Sequence, residues 1–220
     1  MTKHTIAVIG GTGPQGRGLA YRFALAGHQV TIGSRAAERA QEKAAEIGEK
    51  AGVEVAGAKN ADAAQGADVV LVAVPWDGHN EMIAELAPQL AGKVVISCVN
   101  PLGFDKGGPY GLSLPQSAAE DLQEIVPEAR VVGAFHHVAA ASLWESSEPM
   151  SHEDVLVCGN DVEAKELVLD LAAAVTGHRG VNAGKLRLAR QLEPLTAVLI
   201  SINKAYKTRS GVAISGINER

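Results

Sequence analysis

The sequence predicts an α/β fold, a Rossmann-type doubly wound parallel sheet with a small helical C-terminal lobe. Three observations carry this prediction. An apolar, largely β-branched run over residues 5–9 is followed by a glycine cluster and then by a helix-like stretch. Apolar runs of strand length then alternate with helical patterns to about residue 180. Beyond that point one long helical pattern replaces the alternation.

The glycine cluster after the first strand fits the dinucleotide-binding pattern G-x-G-x-x-G at Gly11, Gly13 and Gly16. We expect Gly11 to permit a tight turn, Gly13 to let the backbone approach a pyrophosphate, and Gly16 to let helix and strand pack closely. The helix that follows would direct its free N–H groups at the phosphates. The alternative is an ordinary glycine turn, but the strand before it and the helix after it favour the nucleotide site.

The second predicted strand, residues 28–32, indicates which dinucleotide binds. An NAD site usually has Asp or Glu at the end of this strand, and none occurs over residues 28–37. The chain offers instead the hydroxyl of Ser34 and the guanidiniums of Arg35 and Arg39, which suit a phosphate on the ribose. The pattern therefore predicts NADP(H). Ser34 is also the expected N-cap of the next helix. The alternative is two solvated arginines at a helix start.

The remaining elements follow from periodicity and breakers. Residues 103–111, rich in glycine, are predicted to form a mobile loop. We assign residues 1–180 to the NADP-binding domain and 181–220 to the helical lobe, whose long helix over 186–207 is interrupted at Pro194. Further strands are expected over 53–56, 68–74, 94–98, 130–135 and 154–158, and further helices over 36–51, 60–65, 78–90, 117–125 and 162–175.

Composition excludes several classes of function. The 220-residue chain is 46% hydrophobic with a net charge of −5, and the absence of a basic run argues against a nucleic-acid partner. The sequence has no apolar stretch of eighteen residues and no signal-peptide pattern, so we expect a cytoplasmic protein with no membrane partner. Cys98 and Cys158 lie in separate apolar runs and are expected to be core thiols, and no metal site is predicted.

In a doubly wound sheet, ligands bind outside the carboxyl ends of the strands. This rule selects residues 11–15, 34–35, 74–76, 99–101 and 135–141 as the walls of the site. The last segment holds three consecutive alanines, which would leave a flat wall against which a nicotinamide could lie. Packing of small residues between helices is the alternative explanation of those alanines.

Three larger side chains in these walls have two possible roles each. His136 and His137 are either acid–base groups or backbone hydrogen-bond partners. Trp76 either stacks on a ring or fills a gap. The chain lacks Tyr-x-x-x-Lys and a nucleophile elbow. Hydride transfer to a conjugated ring needs mainly the juxtaposition of two carbons, so we predict no dedicated catalytic residue beyond possible assistance from His136.

The residues described so far resemble those of a known family, the NADPH-dependent reductases of coenzyme F420 (F420H2:NADP+ oxidoreductases). The resemblance runs nearly end to end and rests on five segments. They are Ile9-Gly-Gly-Thr-Gly13 with Gly16-x-Gly18, Ile32-Gly-Ser-Arg35, Val74-Pro75-Trp76, residues 136–141, and Leu192-Glu-x-Leu195-Thr196 in the C-terminal lobe.

The resemblance implies a homodimer that passes hydride between the nicotinamide of NADP(H) and the deazaflavin of F420, both small molecules. The C-terminal lobe would close the deazaflavin site. F420 carries an acidic phosphate–glutamate tail, for which Arg187, Arg190, Lys207 and Arg209 are candidate partners, although a solvated helix face is the favoured explanation of these residues. By matching motif positions, Thr12, Gly13, Pro14 and Gln15 would hold the pyrophosphate; Ser34, Arg35 and Arg39 the ribose phosphate; and Val74, Pro75, Trp76, Asn100, His136, Ala139, Ala140 and Val212 the gap between the rings.

Two other functions fit parts of the sequence. A reductase of imines or small ketones would share the nucleotide site, but about forty residues after Gly180 are few for the larger helical domain of such enzymes. An NADPH-binding redox sensor without turnover would share it as well.

Overall fold

The computed structural model describes residues 2–217. Its core is an eight-stranded sheet with helices on both faces, and two further strands form a separate pair. The strands are β1 (Thr5–Ile9), β2 (Gln29–Ser34), β3 (Ala56–Lys59), β4 (Val69–Val72), β5 (Val94–Ser97), β6 (Leu102–Asp105), β7 (Gly108–Gly111), β8 (Arg130–Gly133), β9 (Leu156–Gly159) and β10 (Val181–Asn182). The helices are α1 (Pro14–Leu25), α2 (Ala37–Ala51), α3 (Asn60–Gln65), α4 (His79–Leu90), α5 (Ala118–Ile125), α6 (Ala140–Glu145), α7 (Val162–Leu171), α8 (Ala173–Thr176) and α9 (Ala189–Tyr206).

The strand order confirms the doubly wound topology. It runs β3-β2-β1-β4-β5-β8-β9-β10, and β1 pairs in parallel with β2 on one side and with β4 on the other. The chain therefore changes direction across the sheet between β1 and β4, which is the topological switch point of such folds. The loops that follow β1 and β4 meet there.

The sheet is not parallel throughout, and in this respect the sequence prediction was wrong. β9 pairs antiparallel with β8, and β10 runs alongside β9. An apolar run such as β9 reads the same in either direction, because burial on both faces sets its composition. The carboxyl ends of β9 and β10 thus lie at the opposite edge from those of the other strands. They do not contribute to the predicted site walls.

Alternate residues of the strands feed two hydrophobic cores. Ile6 and Val8 face the core that covers α1, α2, α6, α7 and α8, whereas Ala7 and Ile9 face the core that covers α3, α4, α5 and α9. All four of these side chains are buried. Both cysteines are buried and free, as predicted.

The predicted mobile loop at residues 103–111 is a short β-hairpin formed by β6 and β7. Gly103 lies opposite Tyr110 in the hairpin, and the Tyr110 ring occupies the space that a side chain on Gly103 would need. A cross-strand aromatic covering a glycine stabilises such a pair. Gly103, one of the glycines that suggested mobility, therefore allows the Tyr110 ring to pack closely across the hairpin.

The C-terminal region also differs from the prediction. Val181 and Asn182 form β10 of the main sheet, so the region predicted as a lobe begins inside the sheet. A 3-10 turn over Leu186–Leu188 then leads into α9, which continues through Pro194 without interruption. Proline removes only one intrahelical hydrogen bond here, and Pro194 packs against Gly111 of the hairpin. The last three residues of the predicted lobe, 218–220, lie outside the described chain.

Candidate active site

The loop between β1 and α1 turns at Gly10, where φ is +77°. An added Cβ there would lie 2.5 Å from the Ala73 carbonyl oxygen. The prediction that Gly11 supplies the turn was therefore wrong by one residue. Gly11 is needed for a different reason, because a Cβ on it would lie 2.9 Å from both the Val8 carbonyl oxygen and the Ile32 side chain.

The N-terminus of α1 is open toward the loop. Gly13 is the N-cap, no side chain caps the helix, and Pro14 occupies the first helical position. A Cβ on Gly13 would meet nothing closer than 3.4 Å, whereas one on Gly16 would lie 2.7 Å from the Gly10 carbonyl oxygen. The backbone at Gly13 thus leaves room for an approaching group, and Gly16 allows close packing. The close packing at Gly16 agrees with its predicted role, and the approach of a pyrophosphate to Gly13 stays a prediction.

One cavity of about 520 Å³ gathers the predicted ribose-phosphate residues, and we call it the arginine cavity. Ser34, Arg35 and Arg39 line it together with Thr12 and one carboxylate, Asp77. Arg35 and Arg39 are exposed, and within the described chain neither forms an ion pair with a carboxylate. Two free guanidiniums and a hydroxyl around one cavity fit a phosphate group.

Ser34 does not cap α2, contrary to the prediction. It is the last residue of β2, and the N-cap is Ala36, which has no side-chain cap hydrogen bond. Arg39 consequently lies in the first turn of α2, while Arg35 precedes the helix. The uncapped helix start and both arginines are therefore available to an anion in the arginine cavity.

A second cavity of about 620 Å³, the alanine cavity, lies against the start of α6. Ala139, Ala140 and Ala141 form one wall, as predicted, and residues of α9 form another. Gly13, Ala73, Val74 and Pro75 line both cavities. The two cavities therefore adjoin at the switch point, where a ligand spanning both would cross the Gly13 backbone. Pro14, Gln15, Asn100 and His136 also line the alanine cavity.

The two histidines of the alanine cavity are buried and neutral at neutral pH. Burial lowers the pKa of His136 to about 3, with a further contribution from His137. Burial also lowers the pKa of His137, whose Nε2 donates to the Asp154 carbonyl oxygen at 2.7 Å. His137 is thus a backbone hydrogen-bond partner, which is one of its two predicted roles. His136 carries no imidazolium proton near pH 7, so any assistance from it would act through packing or a neutral ring nitrogen.

Hydrogen bonds fix the backbone around His136. Its carbonyl oxygen accepts from Asn100 Nδ2 at 2.9 Å and from Thr196 Oγ1 at 2.8 Å. The preceding carbonyl oxygen, of Phe135, accepts from Gln15 Nε2 at 3.1 Å. The helix α9, the loop after β5 and the first turn of α1 are therefore tied to the same peptide segment. In this structure the Gln15 amide braces the cavity wall.

Two features that support the wall were missed in the sequence: the backbone conformation of Phe135 and the buried side chain of Arg22. Phe135 has φ of +63° although it is not glycine, and its fully buried ring packs edge-to-face on Phe23. Nothing in the sequence signals that conformation. Arg22 on α1 is 1% exposed and donates to the carbonyl oxygens of Ser142, Leu143, Ser147 and Glu148. A single arginine within the apolar run 19–25 was the available signal.

Other predicted residues lie near the cavities without lining them. The part of the chain described here places Gly11 and Gly16 within the loop packing, and neither Trp76 nor Val212 contributes to the two cavity linings. The Trp76 ring stacks on His79, with ring centroids 5.5 Å apart. The Val212 carbonyl oxygen accepts from the Asp154 backbone N–H at 2.6 Å.

The four residues predicted as partners of an acidic tail have different surroundings in the structure. Arg190 pairs with Glu120 at 2.6 Å, which agrees with the helix-face explanation. Lys207 is exposed at the end of α9, and Arg187 lines a separate polar cavity. Among the described residues of this group, only Arg209 lines the alanine cavity.

The segment 192–196 fastens α9 to the rest of the molecule. Glu193 is 2% exposed, and its carboxylate oxygens accept from the backbone N–H groups of Ala118 and Ala119 at the start of α5. Burial raises its pKa to about 7. Thr196, one turn later, bonds to the His136 carbonyl as described above. The motif is thus built to position the helix over the alanine cavity.

Two kinds of feature are absent from residues 2–217. No helix there is long and apolar enough to cross a membrane. No group of three or more metal-ligating side chains occurs in that part of the chain.

Comparison with known proteins agrees with this geometry. Residues 5–101 match the family model described as NADP oxidoreductase coenzyme F420-dependent. The chain is 40% identical over 221 residues to the F420-dependent NADP reductase of Methanocaldococcus jannaschii, covering 96% of this chain and 98% of the relative.

Solved structures extend the comparison. A protein from Arthrobacter sp. FB24, provisionally assigned as an F420-dependent NADP reductase, superposes with a TM-score of 0.80 at 30% identity, over 96% of this chain and 99% of that one. An imine reductase from Myxococcus stipitatus shares the fold at 17% identity with a TM-score of 0.63, over 94% of this chain and 63% of that one. Because it is 40% identical to the M. jannaschii reductase over nearly the full length of both chains, the chain belongs to the family of F420-dependent NADP reductases.

Proposed function

We propose that this protein transfers a hydride reversibly between NADP(H) and the deazaflavin coenzyme F420. The arginine cavity holds the phosphorylated adenosine end of NADP(H), and the alanine cavity holds the nicotinamide and the deazaflavin. The observation that carries the proposal is that the two cavities share Gly13, Ala73, Val74 and Pro75. One dinucleotide can therefore extend from one cavity into the other.

The chain contributes binding and orientation. The open backbone at Gly13 and the free N–H groups of α1 suit a pyrophosphate, and Thr12, the residue before Gly13, lines the arginine cavity. Arg35 and Arg39 supply donors that favour the phosphorylated ribose. The nicotinamide supplies or receives the hydride when bound.

The alanine wall admits flat rings because Ala139, Ala140 and Ala141 project little. The hydrogen bonds of Asn100 and Thr196 to the His136 carbonyl hold that wall in place. Catalysis by proximity requires such a fixed surface. The region after β10, including α9, closes the cavity on the side of the deazaflavin.

Mixing the purified protein with NADPH and oxidised F420 tests the proposal. We expect rapid loss of the visible absorption of F420, much slower loss with NADH, and none when ordinary flavin replaces F420. Absence of bleaching at every pH between about 5 and 9 would contradict the proposal. Tight NADPH binding without turnover would favour the redox sensor, and turnover of cyclic imines in place of F420 would favour the imine reductase.

We further propose that the protein is a homodimer in the cytoplasm, where the NADP(H) pool supplies its substrate. Phe104 is 67% exposed on the β6–β7 hairpin, and Tyr206 is 77% exposed on the neighbouring α9. Large exposed apolar side chains on adjacent elements suit an interface. Light scattering coupled to size exclusion measures the mass, and a monomer at micromolar concentration would contradict the dimer.

A further inference from the structure

The alanine cavity is almost uncharged, apart from one residue at its edge. Its two histidines are neutral, and among the described residues that line it Arg209 is the single permanently charged side chain. Arg209 lies in the segment after α9, next to Thr208 and Ser210, which also line the cavity. Arg209 therefore borders the cavity while its side chain is about half exposed to solvent.

Arg209 is paired with Glu145, the last residue of α6. Both guanidinium nitrogens Nη1 and Nη2 contact the carboxylate, one oxygen each. The Arg209 side chain is 46% exposed and that of Glu145 is 56% exposed. The pair thus connects the segment after α9 to the end of the alanine wall, in water rather than in the core.

An exposed ion pair of this kind is easily exchanged for another anion, because solvent and salt screen most of its attraction. The fork of a guanidinium binds a phosphate or a carboxylate in the same bidentate way as it binds Glu145. Glu145 itself is not part of the cavity lining. It therefore occupies Arg209 without blocking the cavity.

We infer that Arg209 recognises the anionic tail of F420 and that Glu145 holds Arg209 until the tail displaces it. This inference rests on the proposed function, because it takes F420 as the ligand of the alanine cavity. Arg209 then determines specificity for the tailed coenzyme over a deazaflavin that lacks phosphate and glutamate. Glu145 acts as an internal competitor and positions the guanidinium.

The test compares three variants on two substrates, F420 and the same deazaflavin truncated at its ribityl alcohol. For Arg209→Gln we expect KM for F420 to rise about tenfold, as for loss of a hydrogen-bonded charge, with kcat unchanged. KM for the truncated substrate should stay constant. For Glu145→Gln we expect KM for F420 to fall severalfold, because the competitor is gone. Lys204→Gln removes an exposed cation in the last turn of α9; it is the matched control and should change neither KM.

The outcomes separate the possibilities. Opposite effects of Arg209→Gln and Glu145→Gln on F420 alone support the inference, as does a wild-type KM for F420 that rises with salt while that of Arg209→Gln does not. A purely structural pair would raise KM in both variants and for both substrates, which overturns the inference. If the wild type turns over neither deazaflavin with NADPH, the proposed function fails instead, and thermal unfolding of the variants shows whether the pair matters for folding.

Discussion

At the scale of single residues, the site is defined by what glycine, alanine and arginine allow at a few positions. Gly16 and Gly13 differ in the space that surrounds them. Arg35 and Arg39 differ from ordinary surface arginines because no carboxylate of the described chain neutralises them. Substitutions at these positions therefore have separable consequences for folding and for binding.

Replacing Gly16 with alanine should destabilise the protein. Its new Cβ would lie 2.7 Å from the Gly10 carbonyl oxygen and 2.8 Å from the Gly11 Cα, so backbone must move by an amount that typically costs about 1–3 kcal/mol. Gly13→Ala meets nothing within 3.4 Å and should leave the free energy of unfolding nearly unchanged while weakening NADPH binding. Urea denaturation and fluorescence titration with NADPH check the pair. Equal stability losses in the two variants would contradict this account.

Replacing Arg35 with alanine should lower the preference for NADPH over NADH by about tenfold or more, because a charge-assisted bidentate contact to phosphate is lost. The ratio of kcat/KM for the two nucleotides is the measurement. Glu38→Gln, a charge change of equal size and opposite sign within the first turn of α2, serves as the control for general electrostatics. An unchanged ratio in Arg35→Ala would mean that the ribose phosphate binds elsewhere.

At the scale of secondary structure, the cavity walls are held by contacts between helix ends. Arg22 of α1 reaches four carbonyl oxygens at and just beyond the end of α6. Burial lowers the pKa of Arg22 from 12.5, but a cation at a helix C-terminus is stabilised by the helix dipole. Glu193 of α9 does the converse, placing a carboxylate at the start of α5. The site walls therefore depend on charges that lie outside the cavities.

Arg22→Met should lower the free energy of unfolding by about 3 kcal/mol or more, because several buried carbonyls lose their donor at once. It should also raise KM for F420, since α6 carries the alanine wall. Arg179→Met, which removes the exposed pairs with Glu166 and Asp170, should cost less than about 1 kcal/mol. Thermal and urea unfolding measure both. Similar losses would show that the buried contacts of Arg22 contribute little.

Element types were predictable from the sequence, but element roles were less so. The glycine loop, α1 and the alanine segment follow from local patterns. The direction of β9 does not follow from a local pattern, because a strand buried on both faces has the same composition whichever way it runs. The β6–β7 hairpin was missed because its glycines pack against Tyr110, a contact between residues seven positions apart. The conformation of Phe135 and the reach of Arg22 depend on tertiary contacts that no local pattern encodes.

At the scale of the whole molecule, buried histidines set the response to acid. Burial lowers the pKa of His28 to about 4 and that of His136 to about 3, and it also lowers those of His79 and His137. The unfolded chain takes up these protons near pH 6.5, whereas the folded chain does so only in stronger acid. Glu193 acts in the opposite direction, because its pKa of about 7 lies above the ordinary 4.5.

The free energy of unfolding should therefore fall as the pH drops from 6.5 toward 4, by about 3 kcal/mol for His28 alone. Glu193 offsets part of this loss between pH 7 and 4.5, since its protonated form is favoured in the folded state over that range. Urea denaturation at each pH unit measures the slope. His28→Gln should flatten it, whereas His152→Gln, at an exposed position, should not. A slope unaffected by His28→Gln would contradict the assignment.

The two thiols have a practical consequence. Cys98 borders the alanine cavity and Cys158 lies in β9, paired with Gly133 of β8, and burial raises both pKa values to about 12. Neither sulfur can react with a disulfide reagent until the molecule opens around it. A bound ligand should delay labelling of the first cysteine more than that of the second. The labelling rate of Cys98 thus reports how often the cavity admits a reagent, and that of Cys158 reports how often the sheet around β9 opens.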